Sequence, residues 1–424
     1  MALHQSIRMI TLLYLATLLP ACTAMADDKP FRPEMGKFPP LEKAHSYRGE
    51  LTFVDHTNRR GSIRIQGKGK FRFTGPSPFA MLPYGMIRYH GAPADLRDIP
   101  LGTVMYVHAF LPPDPKISSV PVLPIDNRLK KLGNAGIGTA PAENHVLLLE
   151  DETSHCRRHG LVWKLKEVTL NDHTGFITAR RELKAGGGQA HEETLTFDAA
   201  TRFWRGRERL GVQDLIAEKI WPANGKKSLE DQTVLLGITW KPTPGGVFMR
   251  FHVSDVWLND AAMERAAQNQ TETHKAFIKS RWMPGWVDAV EYGKFGRAKI
   301  TATLFGGMDN SLYADFKKGQ GAMIASAENT LKHWASGTAG TSQMASKGIL
   351  ANITKAKGNV PFGSSGIQIS LKTDLVTEGF RPGRIVRIHP NSWPIVEVPR
   401  DEYLHDARTT HEDRFPTPDI FPKY

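Results

Sequence analysis

Apolar residues in this chain recur mostly at every second position, in short runs broken by Gly, Pro, Asn and Asp, which is the pattern of strands and turns. The pattern is clearest in two stretches of nine residues, Lys164–Asp172 (KLKEVTLND) and His252–Asp260 (HVSDVWLND). With the aromatic residue before each, apolar positions fall at 163, 165, 168 and 170 in one and at 251, 253, 256 and 258 in the other. This is alternation with one extra residue at the acidic position, Glu167 or Asp255, and it predicts a strand carrying a β-bulge. The shared Asn-Asp ends the strand, because both residues favour turns. Taken as two copies of one closing strand, the stretches predict repeated β units, with Trp163–Leu170 ending the first and opening the second.

The rest of the chain fits units of this kind. Leu51–Val54, a turn at Asn58–Gly61 and Ile63–Ile65 read as a hairpin. Phe71–Phe73 reads as a third strand, Gly75–Pro83 as a loop with three prolines, and Thr103–Phe110 and His145–Leu149 as further strands. The second unit repeats the plan. Gly49 and Gly61 are spaced as Trp163 and Gly175 are, Asp95-Leu96 is matched by Asp214-Leu215, and Thr103-Val104 by Thr233-Val234. The stretch after Asn259 holds no Gly or Pro through Ser280 and predicts a connecting helix. A third unit runs from Trp286, with helical character around Ala322–Trp334 and a closing strand at Ile395–Val398.

These readings divide the chain into a leader 1–26, a Pro-rich linker 27–45 and unit 1 over 46–162, with an insertion at 111–144. Unit 2 follows over 163–258, then the helix 259–281, unit 3 over 282–400 with a helical insertion, and an extended tail 401–424. The run of hairpin, strand, Asp-Leu loop, Gly-Thr-Val strand and closing strand resembles an OB-type barrel, a likeness of architecture and not of any named family. The fold class expected is all-β with helical insertions: three tandem small OB-like barrels, the first two closely coupled. Barrel function varies widely, so the architecture implies no activity.

Composition changes the picture in two ways. Arg8, the apolar run Met9–Leu19 and Ala24-Met25-Ala26 form an export signal with a small-residue cleavage site, too short to span a bilayer as a mature helix. The alternative is Leu19-Pro20-Ala21-Cys22 as a lipobox, with Cys22 lipidated. An exported, periplasmic or extracellular protein is expected, soluble or anchored through Cys22. Cleavage leaves Cys156 as the one cysteine, so no intramolecular disulfide forms. The formal charge of +12 favours anionic partners: an acidic glycan, a lipid surface or nucleic acid, besides other envelope proteins.

Thr201–Arg209 (TRFWRGRER) is the main candidate for binding. Arg202, Arg205, Arg207 and Arg209 interleave with Phe203 and Trp204. Guanidinium forks match phosphate, sulfate or carboxylate, and aromatic faces stack on rings. Arg180 and Arg181, on a neighbouring hairpin, extend the patch. The competing reading buries Phe203 and Trp204 in the core and leaves the arginines solvated.

His155-Cys156-Arg157-Arg158-His159 offers zinc-type ligands. No second cysteine supplies a fourth, and two arginines repel a cation, so a basic surface loop is expected there. No motif calls for a cofactor or a catalytic group: Gly186–Gly188 lacks the Lys-Ser/Thr of a phosphate loop, and no Gly-x-Ser-x-Gly or His-Glu-x-x-His occurs. The function expected is non-enzymatic binding of an anionic polymer or assembly with surface components. The alternatives are an enzyme with its site in the third unit around Asp309, Tyr313, Asp315 and Glu328, and a purely structural spacer.

Overall fold

A computed structural model describes residues 31–34, 36–56, 59–65, 75–112, 143–186, 191–243, 246, 249–326 and 345–396. The leader, Cys22, the Phe71–Phe73 strand, the tip of the 111–144 insertion, Glu328 and the tail lie outside these residues. The described residues from Arg32 onward belong to one compact unit.

Three closed β-barrels follow one another. The first is built from β1 (His45–Asp55), β2 (Arg60–Ile65), β3 (Ser77–Tyr89), the two-residue β4 (Ala92–Pro93), β5 (Val104–Phe110) and β6 (Asn144–Asp151). The helix α1 (Glu152–His159) leads to the second: β7 (Leu161–Asn171), β8 (Thr174–Leu183), β9 (His191–Phe197), β10 (Arg202–Arg205), β11 (Glu208–Leu210), α2 (Val212–Ala217), β12 (Gly225–Pro242) and β13 (Met249–Trp257). The long helix α3 (Asp260–Arg281) connects to the third: β14 (Met283–Tyr292), β15 (Ala298–Phe305), α4 (Asn310–Ala314), β16 (Gly321–Ser326), β17 (Ser346–Lys355), β18 (Ser364–Thr373) and β19 (Ile385–Pro390).

The first two barrels share one order of pairing. Barrel one closes as β1-β2-β3-β6-β5 and barrel two as β7-β8-β9-β13-β12. In each, the third and fifth strands pair in parallel, β3 with β6 and β9 with β13, and the other contacts of the ring are antiparallel. This is the five-stranded Greek-key arrangement expected from the hairpin and Asp-Leu pattern. The matched Asp-Leu pairs both sit at the start of a short helical segment: Asp95 caps a 3-10 turn, whereas Asp214 lies inside α2 and accepts from Gly211 N at 2.7 Å, with Leu96 and Leu215 buried beneath. The third barrel has six strands, closed as β14-β15-β18-β17-β16-β19, all antiparallel.

The two bulges read from the sequence are present. The β7–β8 register shifts between Leu165 and Glu167, and the β12–β13 register shifts opposite Val253 and Asp255. Their placement corrects the repeat. Lys164–Asp172 closes nothing in the first barrel; β6 does that. β7 opens barrel two and β13 closes it, so the two similar stretches flank β12 within one barrel. Each bends to serve neighbours on both sides, and alternation with a bulge records the bend, not the place. The true correspondence runs between first strands. β1, β7 and β14 each bulge against their second strand, at Thr52, Lys166 and Asp288.

Other expectations also change. Residues 77–83, read as a Pro-rich loop, belong to β3. Its pairing with β6 is interrupted between Met81 and Met86, and Pro83 falls in that gap, where no ladder donor is required. The gap pushes Leu82 and Tyr84 out of barrel one and onto Trp286 and Phe305 of barrel three. Phe38, inside the expected linker, stacks on Trp286 at 4.2 Å. Barrel one therefore packs against both others, and the three do not form a simple row. Ala322–Ser326, read as helical, is in β16, and the third barrel closes with β19, leaving Ile395 and Val396 exposed. His155–His159, read as a surface loop, is most of α1, capped by Asp151 accepting from Ser154 N at 2.9 Å.

Candidate binding cleft

Strand alternation sorts the arginine-aromatic stretch. Phe203 points into the core of barrel two, fully buried, while Arg202 and Trp204 point the opposite way. β10 lies parallel to β13, with Arg202 beside Asp255 and Trp204 beside Trp257. Asp255, the acidic residue that follows the unpaired Ser254 of the bulge, accepts from the Arg202 guanidinium at 2.7 Å and from Trp204 Nε1 at 2.8 Å. The bulge thus turns a carboxylate outward to fix both side chains. The hydrogen bond that Arg202 donates to Asp255, more than burial acting against it, raises the Arg202 pKa, so this arginine is permanently charged and locally neutralised.

The turn after β10 brings Arg207 forward. Gly206 adopts φ +60°, which favours glycine, and its N–H donates to Asn259 Oδ1 at 3.2 Å. Asn259 also caps α3, accepting from Ala262 N at 2.9 Å. The hairpin tip and the helix start are therefore tied together. From the other side the end of β3 supplies Tyr89 and His90, stacked at 3.8 Å, with His90 edge-on to Trp257 at 5.1 Å. Burial lowers the His90 pKa against the pull of Asp151 and Asp255, which keeps the ring neutral.

Together these groups line a cleft of about 360 Å³ floored by Ala262 and Ala266 of α3, with Arg265 at its rim. Arg207 and Arg265 are exposed and make no ion pair with a described residue. Arg209 lies directly across from Trp204 on β11, also exposed. The cleft thus combines two unneutralised guanidinium groups, one neutralised one and aromatic faces of Tyr89, Trp204 and Trp257. That is the chemistry of a site for an anion carrying a flat or ring-shaped group.

The other arginines singled out in the sequence lie elsewhere. Arg205 points away from the cleft and pairs with Glu208 and Glu218, both at 2.8 Å. Arg180 pairs with Glu182 at 2.7 Å and Asp231 at 3.5 Å. Arg181 is in the seam between the first two barrels, donating to the buried Glu152 at 3.0 Å. Tyr89, Trp257 and Arg265 were not singled out. Trp257 stands inside one of the two organising stretches, and Arg265 and Asn269 share a helix face by their spacing of four.

The cysteine-histidine cluster divides. Cys156 is buried and its thiol donates to Glu152 at 3.4 Å, with burial first and the Glu152 charge second raising its pKa. That excludes a reactive thiolate. His155 and His159 face Glu150 instead, and the three offer ligand atoms within 4.8 Å of one another. Arg158 already holds Glu150 at 2.6 and 2.9 Å. Burial works to raise the Glu150 pKa, but the hydrogen bonds from His155 and Arg158 outweigh it and hold it at about 2. The carboxylate is committed to a cation that repels a metal.

In the third barrel Asp309 caps α4, Tyr313 donates to Phe305 O at 2.6 Å, and Asp315 accepts from Trp393 Nε1 at 2.7 Å. Each of these three holds a neighbouring segment of chain. No helix among the described residues is long and apolar enough to cross a membrane. The chain matches no protein-family model, no curated protein and no solved structure.

Proposed function

We propose that this chain is an exported, non-enzymatic binding protein of the cell envelope or its surroundings, and that its ligand is an anionic polymer. The observation that carries this reading is the convergence of Arg207, Arg265 and the Asp255-fixed pair Arg202 and Trp204 on one cleft. Arg209 extends the basic rim beyond it. The net charge of +12 draws polyanions toward the surface, and the cleft selects those with rings to stack. The export signal read from residues 1–26, with Cys22 as an alternative lipid anchor, supports this reading, because acidic glycans and anionic lipids are the abundant polyanions outside the cytoplasm.

Dextran sulfate and polyphosphate, titrated onto the full chain at several salt concentrations, test this. Binding should be retained near 50 mM salt and weaken steeply on going to 200 mM, because each neutralised charge releases a counterion. Absence of binding at low salt, or a flat response to salt, would refute the proposal.

A further inference from the structure

A second cavity, of about 70 Å³, lies where barrel one, α3 and barrel three meet. Its ionisable lining is mostly basic: His56, Arg59, His274, Arg281 and Arg387, with Asp95 the one acid among the described residues that line it. Arg59 stands on the turn between β1 and β2 in a left-handed backbone conformation, φ +54°. Its guanidinium is steered by main-chain carbonyls, donating to Pro83 O at 2.9 Å and Gly85 O at 2.8 Å. These oxygens come from the interruption in β3, so the same irregularity that packs Tyr84 on Trp286 also aims Arg59. The charge of Asp95, in the same lining, acts on this guanidinium, but no carboxylate among the described residues forms an ion pair with it.

His274 enters from α3. The side chain is buried, and its Nδ1 has no hydrogen-bond partner. Burial, and then the charges of Arg59, Arg88 and Arg97, push its pKa down to about 4, so at neutral pH the ring is uncharged and offers one N–H. A buried polar atom without a partner is uncommon and destabilising. Here an unpartnered ring nitrogen, a donor in one tautomer, and an arginine outside any ion pair line one cavity, walled by Tyr84, Phe277 and Phe305. By the measure of about 10–15 Å³ for each water-sized occupant, the space suits a group of about five heavy atoms.

We infer that this cavity binds a small tetrahedral oxyanion of the phosphate or sulfate class, held by the Arg59 guanidinium and the His274 ring. The apolar walls strengthen the charge-assisted bonds by excluding water. The ion would join barrel one to α3 beside their contact with barrel three, and so stabilise that junction. This site is separate from the cleft and does not depend on it.

The test uses the full chain with inorganic phosphate or sulfate, and chloride at matched ionic strength as control. Thermal unfolding should shift upward with phosphate concentration along a saturating curve, while chloride leaves it unchanged. In NMR of histidine-labelled protein, His274 should titrate at least one pH unit higher with phosphate present. His274→Phe fills the same space without a donor and should weaken phosphate binding about tenfold. Arg59→Gln should abolish binding, and if that variant does not fold, His274→Phe alone decides. Arg207→Ala and Arg265→Ala should leave the phosphate response intact. An equal shift in chloride, an unmoved His274 titration, or an unaltered response in His274→Phe would overturn the inference.

Discussion

Glu152 accepts a hydrogen bond from Arg181 at 3.0 Å in the seam between the first two barrels. The carboxylate is fully buried and also accepts from Arg48 at 2.9 Å, Tyr106 at 2.9 Å and Trp163 Nε1 at 3.1 Å. Arg48 comes from β1 and lies over the Phe251 ring of barrel two at 4.4 Å. Two cations from different barrels thus share one anion. A main-chain bond from Trp240 N to Gly102 O at 3.0 Å continues the seam. Burial works to raise the Glu152 pKa, but the charges of Arg48 and Arg181 outweigh it and keep the group ionised.

Removing one partner of a buried ion pair leaves the other uncompensated, at a cost of about 3–5 kcal/mol. Glu152→Ala and Arg48→Ala should each lower the unfolding free energy by that amount in urea titrations. The double variant should lose less than the sum of the two, because the groups share one network. Additive losses would show that the seam is not a coupled unit.

The same seam shows how far the sequence could be read. Close coupling of the first two barrels was expected from a strand shared between them. The coupling exists, but the shared strand does not: charged residues on β1, α1 and β8 join the barrels. Alternation, bulges and Asp-Leu caps are local chemistry, and they were legible residue by residue, as at Glu167, Asp255 and Leu215. Pairing partners are set by tertiary packing, so Lys164–Asp172 and His252–Asp260 could not be assigned to opposite sides of β12 from pattern alone. Half of the cleft was legible for the same reason. Arg202, Trp204 and Arg207 are neighbours in sequence, whereas Tyr89 and Arg265 reach the cleft only through the fold.

Histidine burial predicts a pH dependence. His145 and His274 are buried and held down at about 4, against about 6.5 in the unfolded chain. Between those values the unfolded state binds the extra protons, so stability rises with pH. It is fully present above pH 6.5 and falls as pH drops toward 4, by about 1.4 kcal/mol per pH unit for each histidine at most. Replacing either with Gln should flatten the dependence of urea-unfolding free energy on pH in this window. An unchanged slope would show that the ring does not titrate with folding.

Trp286 anchors the contact of barrels one and three, touching Phe38, Tyr84 and Phe305. Trp286→Ala should cost about 3–5 kcal/mol, as large core truncations do. Amide exchange should quicken first along residues 82–85, which are held by this contact more than by strand pairing.

Asp255 sets the charge of the cleft. Asp255→Asn keeps an acceptor for Trp204 but releases the Arg202 charge, so the dependence of log affinity on log salt for dextran sulfate should steepen by about one. A shallower dependence would mean that Arg202 does not face the ligand.

The most direct test compares that dependence in the unmodified chain, in Arg207→Ala/Arg265→Ala, and in Arg205→Ala, whose arginine is paired outside the cleft. The double variant should bind dextran sulfate more weakly at low salt, with a slope lower by about two, and Arg205→Ala should match the unmodified protein. Equal slopes in all three would contradict recognition of the polyanion by this cleft.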